Sequence, residues 1–110
     1  MSETPDFEVQ IESGDGAVTL RVRGDMDIAT VDDLQEARAQ ALAREPRRLL
    51  IDLEKVAFVD SSGLKFLIDT QRLAEREGWE LALLKPGEAA MQVFVVTGAE
   101  RYLPFVEREE

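Results

Sequence analysis

Asp60, Ser61 and Ser62, followed by Gly63, put a carboxylate and two hydroxyls side by side between two apolar runs. Upstream stand Leu49-Leu50-Ile51-Asp52-Leu53 and Val56-Ala57-Phe58-Val59; downstream, Leu64, Phe66, Leu67 and Ile68 begin a run with helical spacing. The tetrad is therefore expected where a helix begins, at which point backbone N–H groups lack intrahelical partners and the macrodipole is positive. With Asp60 as the N-cap, its carboxylate accepts from those N–H groups and Val59 can staple against Leu64. Ser61 and Ser62 are then left on the first turn, where a partner can reach them. Gly63 costs about 1 kcal/mol in a helix relative to alanine, so its expected use is close approach by another backbone or chain. The plain alternative is that the tetrad is only a helix cap.

The remaining composition narrows the chemistry. The chain has 110 residues, enough for one domain with its own core, expected to span 1–110 with flexible ends at 1–6 and 107–110. It contains no cysteine and no histidine, which removes disulfides, thiol chemistry, imidazole catalysis and nearly all zinc or haem ligation, so no metal or cofactor is expected. Lys and Arg number 13 against 23 Asp and Glu, for a net charge of -10. Long-range repulsion then disfavours nucleic acid and anionic membrane surfaces, and a protein partner with a basic patch fits better. The acidic start Met1-Ser2-Glu3-Thr4-Pro5-Asp6 is unlike a secretory signal, and no apolar stretch reaches membrane-spanning length, so a cytoplasmic location without membrane insertion is expected.

The elements that must position the tetrad can be read along the chain. Phe7, Val9 and Ile11, then Val18, Leu20 and Val22, alternate with polar residues around Ser13-Gly14-Asp15-Gly16, which predicts a hairpin whose second strand, Ala17–Arg23, ends at Gly24. Thr30 resembles an N-cap with Asp33 three residues on, and Val31, Leu34, Ala37, Ala41 and Leu42 mark one face of a helix that stops before Pro46. From Arg47 to Leu53 the nearly continuous apolar run predicts a strand covered on both faces. The helix after the tetrad should run to Gly78, with Leu64, Leu67, Ile68 and Ala74 on one side and Ser61, Ser62, Lys65, Asp69, Arg72 and Arg76 on the other. A strand at Trp79–Leu84, a short helix from Ala89 to Val96 and an edge strand in Tyr102–Val106 complete the order β-β-α-β-α-β-α-β. Helical crossovers imply parallel pairing after the opening hairpin: an α/β fold, a mixed sheet of four to five strands with helices mainly on one face. In such a sheet the loop Asp25-Met26-Asp27 should lie beside the tetrad.

Taken together, these features resemble the STAS domain family, and within it the stand-alone anti-sigma factor antagonists of bacteria. Val59-Asp60-Ser61-Ser62-Gly63-Leu64 matches the family's Asp-Ser-(Ser/Thr)-Gly-Leu phospho-acceptor motif, and Gly24-Asp25-Met26-Asp27-Ile28-Ala29-Thr30 is similar to its Gly-Glu-Leu-Asp loop, with Asp25-Met26 in place of Glu-Leu. The resemblance implies that Ser61 is the phospho-acceptor, flanked by Asp60, Ser62 and Gly63, with Asp25, Asp27, Lys65 and Asp69 on the partner-binding surface. It also implies the partners: an anti-sigma factor that doubles as an ATP-dependent serine kinase, and a phosphoserine phosphatase. The unphosphorylated form would bind the anti-sigma factor and free a sigma factor, with no catalysis by this chain. The same family includes interaction subunits of membrane transport systems, which work without a kinase.

Two readings from other classes compete. A serine hydrolase would use Ser61 as nucleophile with a lysine as base, but lacks the group that orients such a base. A phospho-accepting receiver domain would use Asp60, with Asp25 and Asp27 as magnesium acids and Lys85 as its lysine. A single helix between Asp60 and Lys85 is too little for the doubly wound order that reading requires.

Overall fold

The computed structural model describes residues 7–107. Alternation of Val9 and Ile11 with charged and polar residues builds strand β1 (Glu8–Gly14), which turns tightly through Asp15 and Gly16, both at positive φ, into the antiparallel β2 (Ala17–Met26). Helix α1 (Val31–Leu42) buries Leu34, Ala37 and Ala41. Strand β3 (Arg48–Val59) leads into α2 (Ser61–Glu77), closed by Gly78 in the left-handed conformation. Strand β4 (Glu80–Leu84), helix α3 (Glu88–Thr97), a 3-10 turn at Ala99–Arg101 and strand β5 (Phe105–Val106) follow.

The strands lie side by side in chain order, β1-β2-β3-β4-β5, with only the first pair antiparallel. Each crossover from β2 onward steps to the next strand in the same direction. Because such crossovers are right-handed, all three helices are delivered to one face of the sheet. Register confirms the division. Leu20, Ile51 and Leu83 are aligned across β2, β3 and β4, all fully buried under the helices, and Phe105, aligned with Leu83, meets Phe94 of α3 edge to face at 5.2 Å. The opposite face carries Arg21 and Asp52, joined at 3.1 Å, with Glu12 also 3.1 Å from Arg21. Glu12 first, then Asp52, hold the Arg21 guanidinium above its usual range.

Several boundaries differ from the sequence reading. Gly24 does not end β2: the strand continues to Met26, and the pairing with β3 shifts register between Gly24 and Asp25, where Gly24 has φ 107°. The strand expected over Arg47–Leu53 runs unbroken from Arg48 to Val59 because β2, thus extended, gives its second half a partner. It is covered by helices on one face only, and Leu50 on the other is half-buried. The last strand shrinks to Phe105–Val106; Pro104 lies outside it, its carbonyl accepting from the Leu83 amide at 3.0 Å. Of the ends expected to be flexible, residues 1–6 and 108–110 lie outside the described residues. Among the described residues, no helix is long and apolar enough to cross a membrane.

Candidate functional site

The parallel strands β2 and β3 end together, with Met26 aligned to Val59, so the segments that follow them share one edge of the sheet. The Asp60 amide donates to the Met26 carbonyl at 3.0 Å, which fixes the start of α2 against the end of β2. Asp60 is the N-cap: its Oδ1 accepts from the Ser62 amide at 2.8 Å and the Gly63 amide at 3.0 Å. Its other oxygen, Oδ2, accepts from the Ile28 amide at 3.3 Å, in the segment between β2 and α1. One carboxylate thus closes a helix and ties a neighbouring loop to it.

Gly63 is buried, and the reason is its own chain. A β-carbon there would sit 2.4 Å from the Met26 carbonyl oxygen and 2.8 Å from Met26 Cβ. The close approach expected at this glycine is therefore to the backbone of β2, and a partner cannot pack over it. With cap and docking supplied by Asp60 and Gly63, the Ser61 side chain is exposed on the first turn of α2, and Ser62 beside it is half-buried.

Asp25, Met26 and Asp27 do adjoin the tetrad, although Asp25 and Met26 belong to β2 rather than to a free loop. Asp27 holds the turn into α1, its Oδ1 accepting from the Ala29 amide at 3.0 Å and its carbonyl from the Val31 amide at 2.9 Å. Thr30 occupies the N-cap position of α1 as expected, but its hydroxyl makes no cap bond. Fully buried, it turns back instead, donating to the Asp25 carbonyl at 2.8 Å and accepting from the Asp27 amide at 3.0 Å. These bonds fix the Asp25–Thr30 segment against the β2 end, because a buried hydroxyl left unpaired costs about 1–3 kcal/mol.

Along α2, Ser61, Lys65, Arg72 and Arg76 are exposed and Asp69 half-buried, as the helical spacing predicted. Lys65 Nζ and Asp69 Oδ2 form an i,i+4 ion pair at 2.6 Å. The buried side differs from expectation. Gly63, Phe66, Leu67, Thr70 and Ala74 face the core, while Leu64 and Ile68 are only half-buried at its margin. The rotation follows from the small Gly63 docking on β2 and from α1, whose Arg38 lies over the Phe66 ring at 4.8 Å and donates to Thr70 Oγ1 at 2.7 Å. Burial pushes the Arg38 guanidinium below its usual value, and the charge of Asp69 opposes that shift.

Two residues outside the sequence-derived site join it here. Ile28, tied to Asp60, is 75% exposed, and Phe58, two residues before Asp60, is 52% exposed. Each is a large apolar side chain left in water, Ile28 in the segment tied to Asp60 and Phe58 near the end of β3. The signal for Phe58 was its place next to Val59, since neighbours in a strand point to opposite faces. Ile28 had none beyond its apolar type in an acidic loop.

The edge built by β2 and β3 offers a hydroxyl, carboxylates and apolar side chains, and the Lys65 ammonium, one turn after Ser61, is bonded to Asp69 at 2.6 Å, which departs from a lysine-activated serine. The sheet order with its antiparallel first pair likewise departs from the doubly wound receiver pattern. Comparison with known proteins places this arrangement. Over 70 residues, 64% of this chain and 57% of the relative, the sequence is 36% identical to the anti-sigma-F factor antagonist RsfB of Mycobacterium tuberculosis, so the match spans little more than half of that protein's length. It is 25% identical to the anti-sigma-B factor antagonist of Staphylococcus aureus over 92 residues, 84% of this chain and 85% of that protein. The crystal structure of an anti-sigma factor antagonist from Mycobacterium paratuberculosis superposes with a TM-score of 0.78 at 28% identity, covering 96% of this chain and 89% of that one. A family model described as "Mlab, STAS domain" matches residues 9–107, which takes in the whole sheet from Val9 onward, all the helices and the Ser61 edge: the chain belongs to the STAS domain family.

Proposed function

We propose that this chain is an anti-sigma factor antagonist switched by phosphorylation of Ser61. The observation that carries the reading is the division of labour at the start of α2: Asp60 caps the helix and Gly63 docks it, leaving the exposed Ser61 hydroxyl without a structural task. The likeness to antagonists of anti-sigma factors supplies the class of partner. In the unphosphorylated form the Ser61 edge binds the anti-sigma factor, and the sigma factor that this partner held is released. As a serine kinase, the same partner transfers the γ-phosphoryl group of ATP: the bond from phosphorus to the ADP oxygen breaks, the bond to Ser61 Oγ forms, and the hydroxyl proton passes to the kinase. A phosphoserine phosphatase reverses the change by hydrolysis. This chain contributes the acceptor and its positioning, and no catalysis.

The physics of the switch suits this site. Phosphorylation adds a charge of about -1.5 to -2 at pH 7. At the first turn of a helix that charge is tolerated locally, so the domain persists. Under a bound partner, however, it would have to be desolvated, which separates the two proteins. The test is incubation with the source organism's anti-sigma factor kinases and Mg-ATP, followed by peptide mass spectrometry. One phosphate is expected on the Ser61 peptide, abolished in Ser61→Ala while binding is retained. Binding without labelling by any of these kinases would instead favour a non-phosphorylated interaction subunit, such as that of a membrane transport system.

A further inference from the structure

Lys65 stands one helical turn after Ser61 and one before Asp69, all three on the outward side of α2. At present its ammonium is held by Asp69 at 2.6 Å, in an ion pair whose partners keep 74% and 37% side-chain exposure. That pair has the weaker orientation for a helix, with the cation N-terminal to the anion; an anion at i and a cation at i+4 is preferred. An anion at position 61 would offer Lys65 the better orientation at the same spacing.

We propose that Lys65 is an exchange cation: when Ser61 carries a phosphoryl group, the Lys65 ammonium leaves Asp69 for the phosphate. The inference rests on Ser61 as the acceptor and adds how the mark is read out. Three effects favour the exchange. The phosphate brings nearly two negative charges against one on Asp69, the anion-first order is the favourable one, and along α2, among the described residues, Lys65 is the cation one turn from position 61, while the adjoining Asp60, Asp25 and Asp27 are acids. Asp69 retains a second cation to face, Arg38 of α1, whose guanidinium already feels the Asp69 charge.

The consequence is a change of surface longer than the modified residue. In the unmodified form a partner lying along α2 meets a neutral hydroxyl, then a cation and an anion that screen each other. After exchange it meets a dianion covered by Lys65, then an Asp69 carboxylate that Lys65 no longer covers. The partner thus loses a cationic contact one turn beyond Ser61 and gains an anionic one two turns beyond it.

The test installs phosphoserine at position 61 of the full chain through a recoded codon and follows the phosphate by phosphorus NMR across pH. The probe is the phosphoserine itself, beside Lys65→Gln, Lys65→Arg and Asp69→Asn. Lys65→Gln should make the phosphate bind its second proton about twofold more tightly, the size expected of a solvent-exposed i,i+4 pair. Lys65→Arg should match the parent, and Asp69→Asn, which removes the competitor, should shift the phosphate the opposite way. In the same samples the Asp69 carboxyl should bind its proton more tightly after phosphorylation in the parent but not in Lys65→Gln. Coincident titration of the parent and Lys65→Gln overturns the exchange, as does an Asp69 carboxyl that ignores the phosphate. Because no kinase enters the experiment, failure of any kinase to label Ser61 would sink the proposed function while leaving this result readable, and the converse holds equally.

Discussion

The Ile28 amide points at the same carboxylate that caps α2, 3.3 Å from Asp60 Oδ2, while Asp60 Oδ1 serves Ser62 and Gly63. Two chain segments separated by helix α1 and strand β3 are thereby coupled at a single side chain. The Ser61 turn and the segment that presents Ile28 keep a fixed relation to each other, which a surface made from both requires.

Removing that carboxylate should release both segments together. Asp60→Ala loses the cap, worth about 0.5–2 kcal/mol, and the tie to Ile28 as well. A lower melting temperature is expected, and hydrogen exchange should accelerate at the Ile28, Ser62 and Gly63 amides. Acceleration at Ser62 and Gly63 alone would show that the longer Ile28 bond carries nothing.

Gly63→Ala sets two effects against each other. Alanine is favoured in a helix by about 1 kcal/mol, but its β-carbon would stand 2.4 Å from the Met26 carbonyl oxygen, a backbone atom that moves only if β2 or α2 shifts. Overpacking of this kind costs typically about 1–3 kcal/mol, so net destabilisation is expected in chemical denaturation. A stabilised variant would mean that α2 does not rest on Met26.

Much of this architecture was legible before any coordinates. Asp60, set between Val59 and a helical apolar pattern, identified its own cap role, and Gly78 identified the end of the same helix. What escaped the sequence depended on partners distant along the chain. Gly24 reads as a stop because glycine punctuates strands, yet β3 supplies pairing on its far side and β2 continues to Met26. Thr30 has the right type for a side-chain cap, but the Asp25 carbonyl competes for its hydroxyl and wins. The buried side of α2 turned toward Phe66 and Thr70 because Arg38, on another helix, satisfies Thr70 there. Local pattern determines elements; which way they face is decided by contacts that pattern does not contain.

Affinity and stability should part company at Ser61. Ser61→Asp places an acid in the first turn of α2, where the macrodipole favours it by about 0.3–1 kcal/mol at an exposed site. Thermal stability should hold or rise slightly while binding to the anti-sigma factor weakens. A marked loss of melting temperature with unchanged affinity, measured on the same preparation, would contradict an interface-based switch.

Ile28 and Phe58 should supply binding energy out of proportion to their number. Both are largely solvent-exposed, so truncating either gives back little burial, and Ile28→Ser or Phe58→Ser should change folding stability by no more than about 0.5 kcal/mol. At an interface the same side chains would be desolvated beside a charged rim, the setting in which single truncations cost 1 kcal/mol or more, so each variant should lose about tenfold in affinity for the anti-sigma factor. Val96 is the control. It is 79% exposed, but it lies near the C-terminal end of α3, which antiparallel packing of helix on strand carries to the edge of the sheet opposite Ser61. Calorimetric titration of the three variants separates the possibilities. Equal loss for Val96→Ser would point to general surface hydrophobicity, whereas loss confined to Ile28 and Phe58 locates the partner on the edge that Asp60 holds together.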